Sequence, residues 1–524
     1  MQQDKIIKSI QSTFKLSGLS ISRECCARFV SHLRTIDEEL HNDSIRRITE
    51  SLLSQNLIEP LVTLDHLEIA ITECALPRSN FEETETVLNV LNVSSFPKIS
   101  YDLQNKKFIV DKPNYDLFSD SVNKSKLFKE RLELIWYRTL KNEHFAPLEF
   151  GLVNSNHVEL RRIEYLLGSS KVQGVYVMGV LTQLTDGHFY LEDVTGVVKI
   201  DLSKAKYQAG LITEGCIVLA TGDYDQDVLD VKALSFPPSE PSDQSRTYFG
   251  KSNTFGGPHP VSLKISEKLK SFEEAGLDET IIFISELWVD DQIVLEKFKT
   301  MIHGYAISPP RAFIICGNFL SFPPNITSTR KLEEGFKNLA EIVSRYPEIA
   351  QHSKFVLVPG PDDPGSPKIL PRAPLPSHVI RDFMKEVPDV ILATNPCRIQ
   401  YCTKEIIVFR ENILTKVCRN TLYFNNDNDI PNQYARSIIS QSHLTPMNLI
   451  AVPIYWNQDH ALQLYPTPDL VVVADQYKPY STKFNDCHVI NPGVFSKNDF
   501  PFMNYYPADN KIEESSIGKG EDTS

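Results

Sequence analysis

The chain has 524 residues, too many for one hydrophobic core, so about two to four domains are expected. Its 41% hydrophobic and 23% charged residues are ordinary for a globular protein, and the lack of any apolar run of about 18 residues excludes a transmembrane helix. The net charge of −13 argues against a large DNA-wrapping surface, because phosphate contacts need clustered Lys and Arg.

Residues 1–75 carry apolar side chains at helical spacing, beginning with Ile6, Ile10 and Phe14. The pattern recurs three more times and predicts four short amphipathic helices that form a small helical domain. The opening MQQDKIIKSIQSTFK lacks the continuous apolar core of a signal peptide, so an intracellular protein with no membrane partner is expected.

Residues 76–160 are interpreted as a connector, since LPRSNFEETET and DKPNYDLFSDSVNKS are polar and turn-rich. Between these two stretches, PKISYDLQNKKFIVD predicts a short hairpin. A helix with mixed charges is predicted from Lys126 to Lys141.

Residues 161–240 change to strand signals, with turns at TDG and DVTG. Five strands with a gap between the third and fourth predict an OB-type barrel. From 165 to 236 the segment holds five Lys and nine Asp or Glu residues. A structural or protein-docking barrel is therefore favoured over one that binds single-stranded DNA, which remains the alternative.

Residues 237–245, PPSEPSDQS, are expected to be a linker. From 241 to 507, apolar strands such as IIFIS and KFVLV alternate with helical segments, which predicts an α/β sheet, and LIAVPIYW is one of the later predicted strands. The polar residues 508–524 are predicted to be a disordered tail.

Common catalytic motifs are missing from the sequence: it has no GxxxxGK[ST], G-x-S-x-G or H-E-x-x-H pattern. His443 is a lone histidine, for which a hydrogen-bonded structural role is favoured. Four cysteines could form a zinc site, but without a C-x2-C pair buried free thiols are the favoured interpretation. These cysteines are Cys397, Cys402, Cys418 and Cys487.

Four loops that directly follow apolar strands remain as candidates: SELW, GNFLS, GPDD and ADQY. Their order resembles that of calcineurin-like metallophosphoesterases, whose two-metal site needs bridging carboxylates and several imidazoles. Here the resemblance implies lost ligands: a glutamate replaces an aspartate, the second loop lacks both of its acids, and Trp, Pro, Asp and Tyr stand where the family needs asparagine or histidine. These positions are Glu286, Trp288, Gly317, Asn318, Ser321, Gly360, Pro361, Asp362, Asp475 and Tyr477.

The stretch VPGPDDPG, residues 358–365, is accordingly interpreted as an inactivated metal loop whose acids organise the turn. His443 is the one candidate for the family's lone histidine. An active metal-dependent phosphatase or nuclease stays open as an alternative, because five oxygen-bearing side chains could hold magnesium or manganese. They are Glu286, Asn318, Asp362, Asp363 and Asp475.

The longer stretches FYLEDVTGVVKIDLSKA, FVLVPGPDDPG, ILPRAPLP and TNPCRIQYCTKEIIVFREN resemble the B-subunit family of replicative DNA polymerases. That resemblance implies a multidomain α+β protein: a helical domain similar to the carboxy-terminal lobe of AAA+ ATPases, an OB-fold, and an inactive calcineurin-like phosphoesterase sandwich at 241–507. It implies no catalytic residue, metal or cofactor.

The same resemblance implies a nuclear accessory subunit. The barrel and phosphoesterase domains would bind the zinc-bearing carboxy-terminal region of the catalytic subunit, in a complex that also contains small histone-fold subunits. The amino-terminal helices would tether the polymerase to the replicative helicase through GINS, and DNA would be reached mainly through the complex.

Overall fold

A computed structural model gives the fold, and it describes residues 2–34, 41–55, 60–75, 87–113, 116–146, 157–185, 187–365, 368–424 and 429–518. Within these ranges no helix is both long and apolar enough to span a membrane.

The amino-terminal domain contains the four predicted helices. They are α1 (Gln2–Leu16), α2 (Arg23–Leu33), α3 (His41–Ser54) and α4 (Leu64–Ala75). Phe14, Phe29 and Leu52 are buried in their common core. Two short parallel strands, β1 (Ser20–Ile21) and β2 (Leu61–Val62), were not predicted, because two residues are too few to show a period.

The predicted connector is largely an integrated part of the fold, which corrects the expectation for 76–160. The hairpin and the helix are present, as β4 (Lys98–Asp102) with β5 (Lys107–Asp111), and α5 (Ser121–Thr139). In addition, β3 (Leu88–Leu91) joins a sheet of the later domain. Polar side chains of this region find buried partners far along the chain, which its composition does not reveal. Residues 76–86 and 147–156 lie outside the described part.

The barrel follows. Its elements are β6 (Leu160–Arg161), α6 (Ile163–Leu167), β7 (Lys171–Thr185), β8 (His188–Glu192), β9 (Val197–Asp201), β10 (Lys206–Tyr207), β11 (Ile217–Asp225) and β12 (Val228–Ser235). The strand order is β10-β12-β11-β7-β8-β9, and parallel pairing of β12 with β9 closes the sheet on itself. The five predicted strands are β7, β8, β9, β11 and β12.

The last domain is a sandwich of two six-stranded sheets. Its strands are β13 (Ile281–Ser285), β14 (Ala312–Cys316), β15 (Lys354–Val358), β16 (Ile391–Leu392), β17 (Cys397–Tyr401), β18 (Lys404–Arg410), β19 (Leu470–Ala474), β20 (Tyr480–Phe484), β21 (Cys487–Asn491), β22 (Pro501–Tyr506) and β23 (Lys511–Ser516). The sheet orders are β16-β15-β14-β13-β22-β23 and β20-β21-β19-β18-β17-β3. Phe283, Val356, Val408 and Val472 pack between the sheets.

Helices pack around this sandwich. They are α7 (Ser242–Thr247), α8 (Glu267–Ala275), α9 (Gln292–Gly304), α10 (Ser328–Val343), α11 (Pro347–His352), α12 (Arg381–Glu386), α13 (Leu414–Asn420) and α14 (Ile430–Ser440). The helices α9, α10 and α12 pack on the first sheet, and α13 and α14 pack on the second.

Three local expectations are corrected. The linker contains α7, whose Ser242 and Ser245 are buried and whose Arg246 pairs with Glu405 at 2.5 Å. Residues 511–516 of the predicted tail form the edge strand β23, hydrogen-bonded to β22, since an edge strand tolerates a polar composition, and residues 519–524 lie outside the described part. The predicted strand LIAVPIYW (449–456) is irregular, because its backbone bonds go to other loops.

Candidate functional site

The four candidate loops lie together at one end of the sandwich. β13, β14 and β15 run parallel in the first sheet, and β18 and β19 run parallel in the second. Their carboxyl ends, the place where α/β folds carry their sites, therefore bring five loops to one edge. The fifth loop, after β18, was not among the candidates and begins at Arg410.

The fully buried guanidinium of Arg410 is the point where these loops meet. Its Nη2 donates to Glu286 Oε1 at 2.5 Å, its Nη1 donates to Ala474 O at 3.0 Å, and its Nε donates to Gly317 O. Gln476 Nε2 also donates to Glu286 Oε1, at 2.7 Å. The carboxylate expected at the first metal position thus has an internal cation as its partner.

The second and third loops hold each other through backbone and side-chain bonds. Asn318 Nδ2 donates to Asp362 Oδ2 at 3.2 Å, while Asp362 N donates to Asn318 Oδ1 at 3.1 Å. Asp363 accepts from Phe319 N at 2.9 Å and from Gly360 N at 2.7 Å. The interpretation that the acids of VPGPDDPG organise the turn is confirmed. Burial raises the pKa of Asp363 to about 6 despite its two backbone donors.

The close approach of these two loops explains their glycines. A Cβ added to Gly317 would lie 1.8 Å from Asp363 Oδ2, and one added to Gly360 would lie 2.3 Å from Asn318 Oδ1. Both distances are far inside van der Waals contact, so only glycine allows the backbones to meet in this way.

Asp475 serves as a helix cap. Its Oδ2 accepts from Ile413 N at 2.6 Å and from Leu414 N at 2.9 Å, at the start of α13, and its Oδ1 accepts from Tyr477 N at 3.0 Å. Burial is the largest influence on this carboxyl and raises its pKa. The carboxylate satisfies backbone donors that a helix start would otherwise leave open.

The other candidate residues have structural surroundings. Trp288 packs against the sandwich core, and Ser321 Oγ donates to Asp290 Oδ2 at 2.6 Å. His443 is buried, its Nδ1 accepts from Thr445 N at 3.1 Å, and its Nε2 lies 3.3 Å from Asp459 Oδ1. The structure thus confirms a hydrogen-bonded role for His443 and places its contacts outside the four loops.

Within the described ranges, no three His, Cys, Asp or Glu side chains are arranged to hold a metal ion. The four cysteines considered for zinc are free, with Cys397, Cys402 and Cys487 buried and Cys418 partly buried. Burial raises the pKa of Cys402 to about 12, so this thiol stays protonated at neutral pH.

The outer face of the barrel carries mixed charges. Tyr190 of β8 lies opposite Lys199 of β9, and such a pair can stack on a base and contact a phosphate of a nucleic acid. The same face presents Glu192, Asp201 and Asp230, the last two paired across β9 and β12. The acids oppose binding of a phosphate chain at these strands.

Arg410 is the residue that motif comparison missed. The available signal was its place directly after the apolar strand segment EIIVF, equivalent to that of the other strand-end residues. A charged residue ending a buried strand must find a partner, and here the partners come from three different loops.

Three family profiles match the chain. "DNA polymerases epsilon N terminal" matches residues 2–74, and "DNA polymerase epsilon subunit 2-like, OB-fold domain" matches 121–238. A profile for the B subunit of DNA polymerases alpha and epsilon matches 281–482. The second match begins at α5, in agreement with the packing of that helix on the barrel.

Relatives from vertebrates and from an insect match along nearly their whole length. DNA polymerase epsilon subunit 2 of Homo sapiens is 41% identical over 99% of both chains, and that of Bos taurus is 40% identical over 99% of both. The Drosophila melanogaster protein of the same name is 38% identical over 97% of both chains. Among solved structures, an archaeal phosphodiesterase overlaps 45% of this chain and 99% of its own, at 12% identity and a TM-score of 0.26.

Proposed function

The chain belongs to the family of DNA polymerase epsilon B subunits, which makes it an accessory subunit of that polymerase in DNA replication, and we propose that it is non-catalytic and acts by binding proteins. The observation that carries the proposal is the Arg410 guanidinium at the meeting point of the strand-end loops. Its positive charge neutralises Glu286, while Asp363 and Asp475 are bound to backbone donors. Asp362 accepts from the side chain of Asn318 and pairs with Lys368 at 3.1 Å.

The purified protein is expected to show no turnover of a model phosphodiester with magnesium, manganese or zinc, because Glu286 is paired with Arg410 and Asp475 caps α13. The assay is compared with a Glu286→Gln, Asp362→Asn double variant prepared in the same way. Metal-dependent turnover by the native chain that the double variant lacks would establish the rival, an active phosphoesterase.

The barrel, α5 and the sandwich form one continuous body, which suits a partner that binds across them. Ile217 N of the barrel donates to Gln441 Oε1 at 2.7 Å, and Gln441 Nε2 returns a bond to Ile217 O at 2.7 Å. From α5, Arg131 Nη2 contacts Asp459 Oδ1 at 2.5 Å, a buried ion pair. We propose that this body holds the carboxy-terminal region of the catalytic subunit of DNA polymerase epsilon.

Limited proteolysis tests whether the barrel, α5 and the sandwich behave as one structural unit. We expect early cleavage between residues 76 and 86 and late cleavage between 237 and 245, because Ser242 and Ser245 of the latter are buried. The products are followed in time by mass spectrometry. Release of an intact barrel fragment before removal of the amino-terminal domain would contradict the prediction.

The amino-terminal domain is proposed to bind GINS and so to tether the polymerase to the replicative helicase. Its buried core is built from its own residues, and its contacts with the rest of the chain include the long ion pair of Lys112 Nζ with Asp65 Oδ2 at 3.9 Å. Both side chains are largely exposed, so this pair adds little to stability. We further propose that the protein is nuclear, that its complex also contains small histone-fold subunits, and that it contacts DNA mainly through this complex.

A further inference from the structure

A short exposed loop joins α9 to β14. Ile307 in this loop is 97% exposed, and Ser308 after it is also exposed. Among the described residues, neither the amide nor the hydroxyl of Ser308 has a hydrogen-bond partner. Because the loop enters β14 at the amino end of that strand, Ser308 lies at the opposite edge of the sheet from the strand-end loops.

Both flanks of this loop are anchored to the sandwich. On the amino side, Tyr305 Oη donates to Asn504 Oδ1 at 2.9 Å. On the carboxyl side, Ser353 Oγ donates to Pro310 O at 2.6 Å. The residues between these two anchors project as a fixed loop, a form in which side chains are available to another protein.

The residues after Ser308 are Pro309, Pro310 and Arg311. A following proline holds Ser308 towards extended backbone, and Pro309 itself carries no N–H. An enzyme cleft that offers an apolar pocket and no acceptor at this position selects proline, because any other residue would bury an N–H without a partner. The hydroxyl of Ser308 therefore stands in the setting that a proline-directed enzyme requires.

Arg311 places a cation three residues after Ser308. Its Nη2 donates to Glu279 Oε1 at 2.6 Å, and 38% of its side chain stays exposed. A guanidinium has five N–H donors, so one carboxylate does not use all of them. An anionic group of another protein can therefore bind the same side chain while the pair with Glu279 is intact. The loop thus offers a hydroxyl, a proline and a cation in a fixed order.

The structure distinguishes Ser308 from the other serines and threonines that precede proline. The sequence contains four such pairs, and the other three begin at Ser366, Thr445 and Thr467. Thr445 is 0% exposed and Thr467 is 3% exposed, so an enzyme cannot reach them in the folded protein. Ser366 lies outside the described residues. None of these three has a Lys or Arg three residues later, whereas Ser308 has Arg311.

We propose that Ser308 is a phosphorylation site for a protein kinase that requires proline after the acceptor and favours a cation three residues after it. In the reaction, Ser308 Oγ forms a bond to the γ-phosphorus of ATP, while the bond from that phosphorus to the β–γ bridging oxygen breaks and ADP leaves. The hydroxyl proton passes to the catalytic aspartate of the kinase. The product carries about two added negative charges at the amino end of β14, away from Arg410.

The test incubates the full-length protein with a cyclin-dependent kinase and radiolabelled ATP, and the labelled residue is mapped by mass spectrometry. The unchanged protein is expected to carry the label on Ser308, and a Ser308→Ala variant is expected to lose that label. A Pro309→Ala variant keeps the hydroxyl. It should be labelled at least about tenfold more slowly, because it loses the methylenes that fill an apolar pocket of the enzyme.

A matched control variant is Ser344→Ala. Ser344 follows α10, is exposed like Ser308, and precedes an arginine rather than a proline. Its replacement removes an exposed hydroxyl without touching the loop before β14. We expect the rate of labelling and the labelled residue to be those of the unchanged protein. Loss of the Ser308 label in this variant would contradict the assignment.

Synthetic peptides separate the sequence motif from its presentation in the fold. Peptides 301–315, 438–452 and 460–474 are offered to the same kinase. We expect Ser308 to be labelled in both peptide and folded protein, and Thr445 and Thr467 to stay unlabelled in the folded protein. A labelled Ser308 peptide beside an unlabelled folded protein would overturn the claim that the loop presents the site. Labelling confined to Ser366 would overturn the choice of residue, and an unchanged rate in Pro309→Ala would overturn the class of enzyme.

Discussion

Replacement of Arg410 by methionine is expected to lower the free energy of unfolding of the barrel–sandwich body by about 3–5 kcal/mol, the usual cost of breaking a buried ion pair on one side. The guanidinium is fully buried and bonds to Glu286, Gly317 and Ala474. Methionine fills a similar volume, so the loss comes mainly from the uncompensated charge of Glu286 and from carbonyl oxygens left without donors.

Tryptophan fluorescence in a urea titration measures this loss. All three tryptophans, Trp136, Trp288 and Trp456, lie outside residues 1–75, so the signal reports the body without the amino-terminal domain. The shift of the midpoint multiplied by the slope of the transition gives the change in stability.

Two comparisons isolate the cause. Adding Glu286→Leu to the Arg410→Met variant removes the stranded charge and should recover part of the loss. Arg330→Met breaks an exposed pair with Glu334 at 3.1 Å and should cost less than about 1 kcal/mol. An Arg410→Met protein within about 1 kcal/mol of the native one would show that the guanidinium does not hold the loops together.

Local patterns predicted the elements better than the contacts between them. The helices of residues 1–75 and the strands such as Ile281–Ser285 were recognisable because the spacing of apolar residues reflects which side is buried. The carboxylates of VPGPDDPG were also interpreted correctly, because Asp363 bonds to Gly360 only three residues away. Such signals lie within a few positions of one another.

Long-range partnerships were not predictable in this way. Arg410 is 124 residues from Glu286, and Arg131 is 328 residues from Asp459. β3 was assigned to a connector because its partner strand, Cys397–Tyr401, follows about three hundred positions later. A polar or short segment shows no period when its role is set by a distant partner, so the integrated connector and the central guanidinium became visible only in the fold.

Removal of residues 1–75 is expected to abolish recovery of GINS while leaving binding to the polymerase catalytic subunit unchanged. The deleted segment has its own buried core, and Val62 and Leu67 belong to that core and to none of the hydrophobic clusters of the sandwich. The remaining body keeps its ion pairs and hydrogen bonds, including Arg131 with Asp459. The measurement is a paired pull-down of full-length and shortened protein, with both partners quantified in each sample.

A point variant tests whether GINS binding needs the folded amino-terminal domain. Phe29→Ala removes a fully buried ring that packs on Phe14 with centroids 6.0 Å apart, and it should cost about 3–5 kcal/mol, enough to unfold so small a domain. We expect this full-length variant to lose GINS as the deletion does. Leu16→Ala, which shortens a side chain that is 86% exposed, should leave the fold intact and serves as the control. Equal recovery of GINS by full-length and shortened protein would show that residues 1–75 are not needed for binding. The tether would then lie elsewhere in the chain.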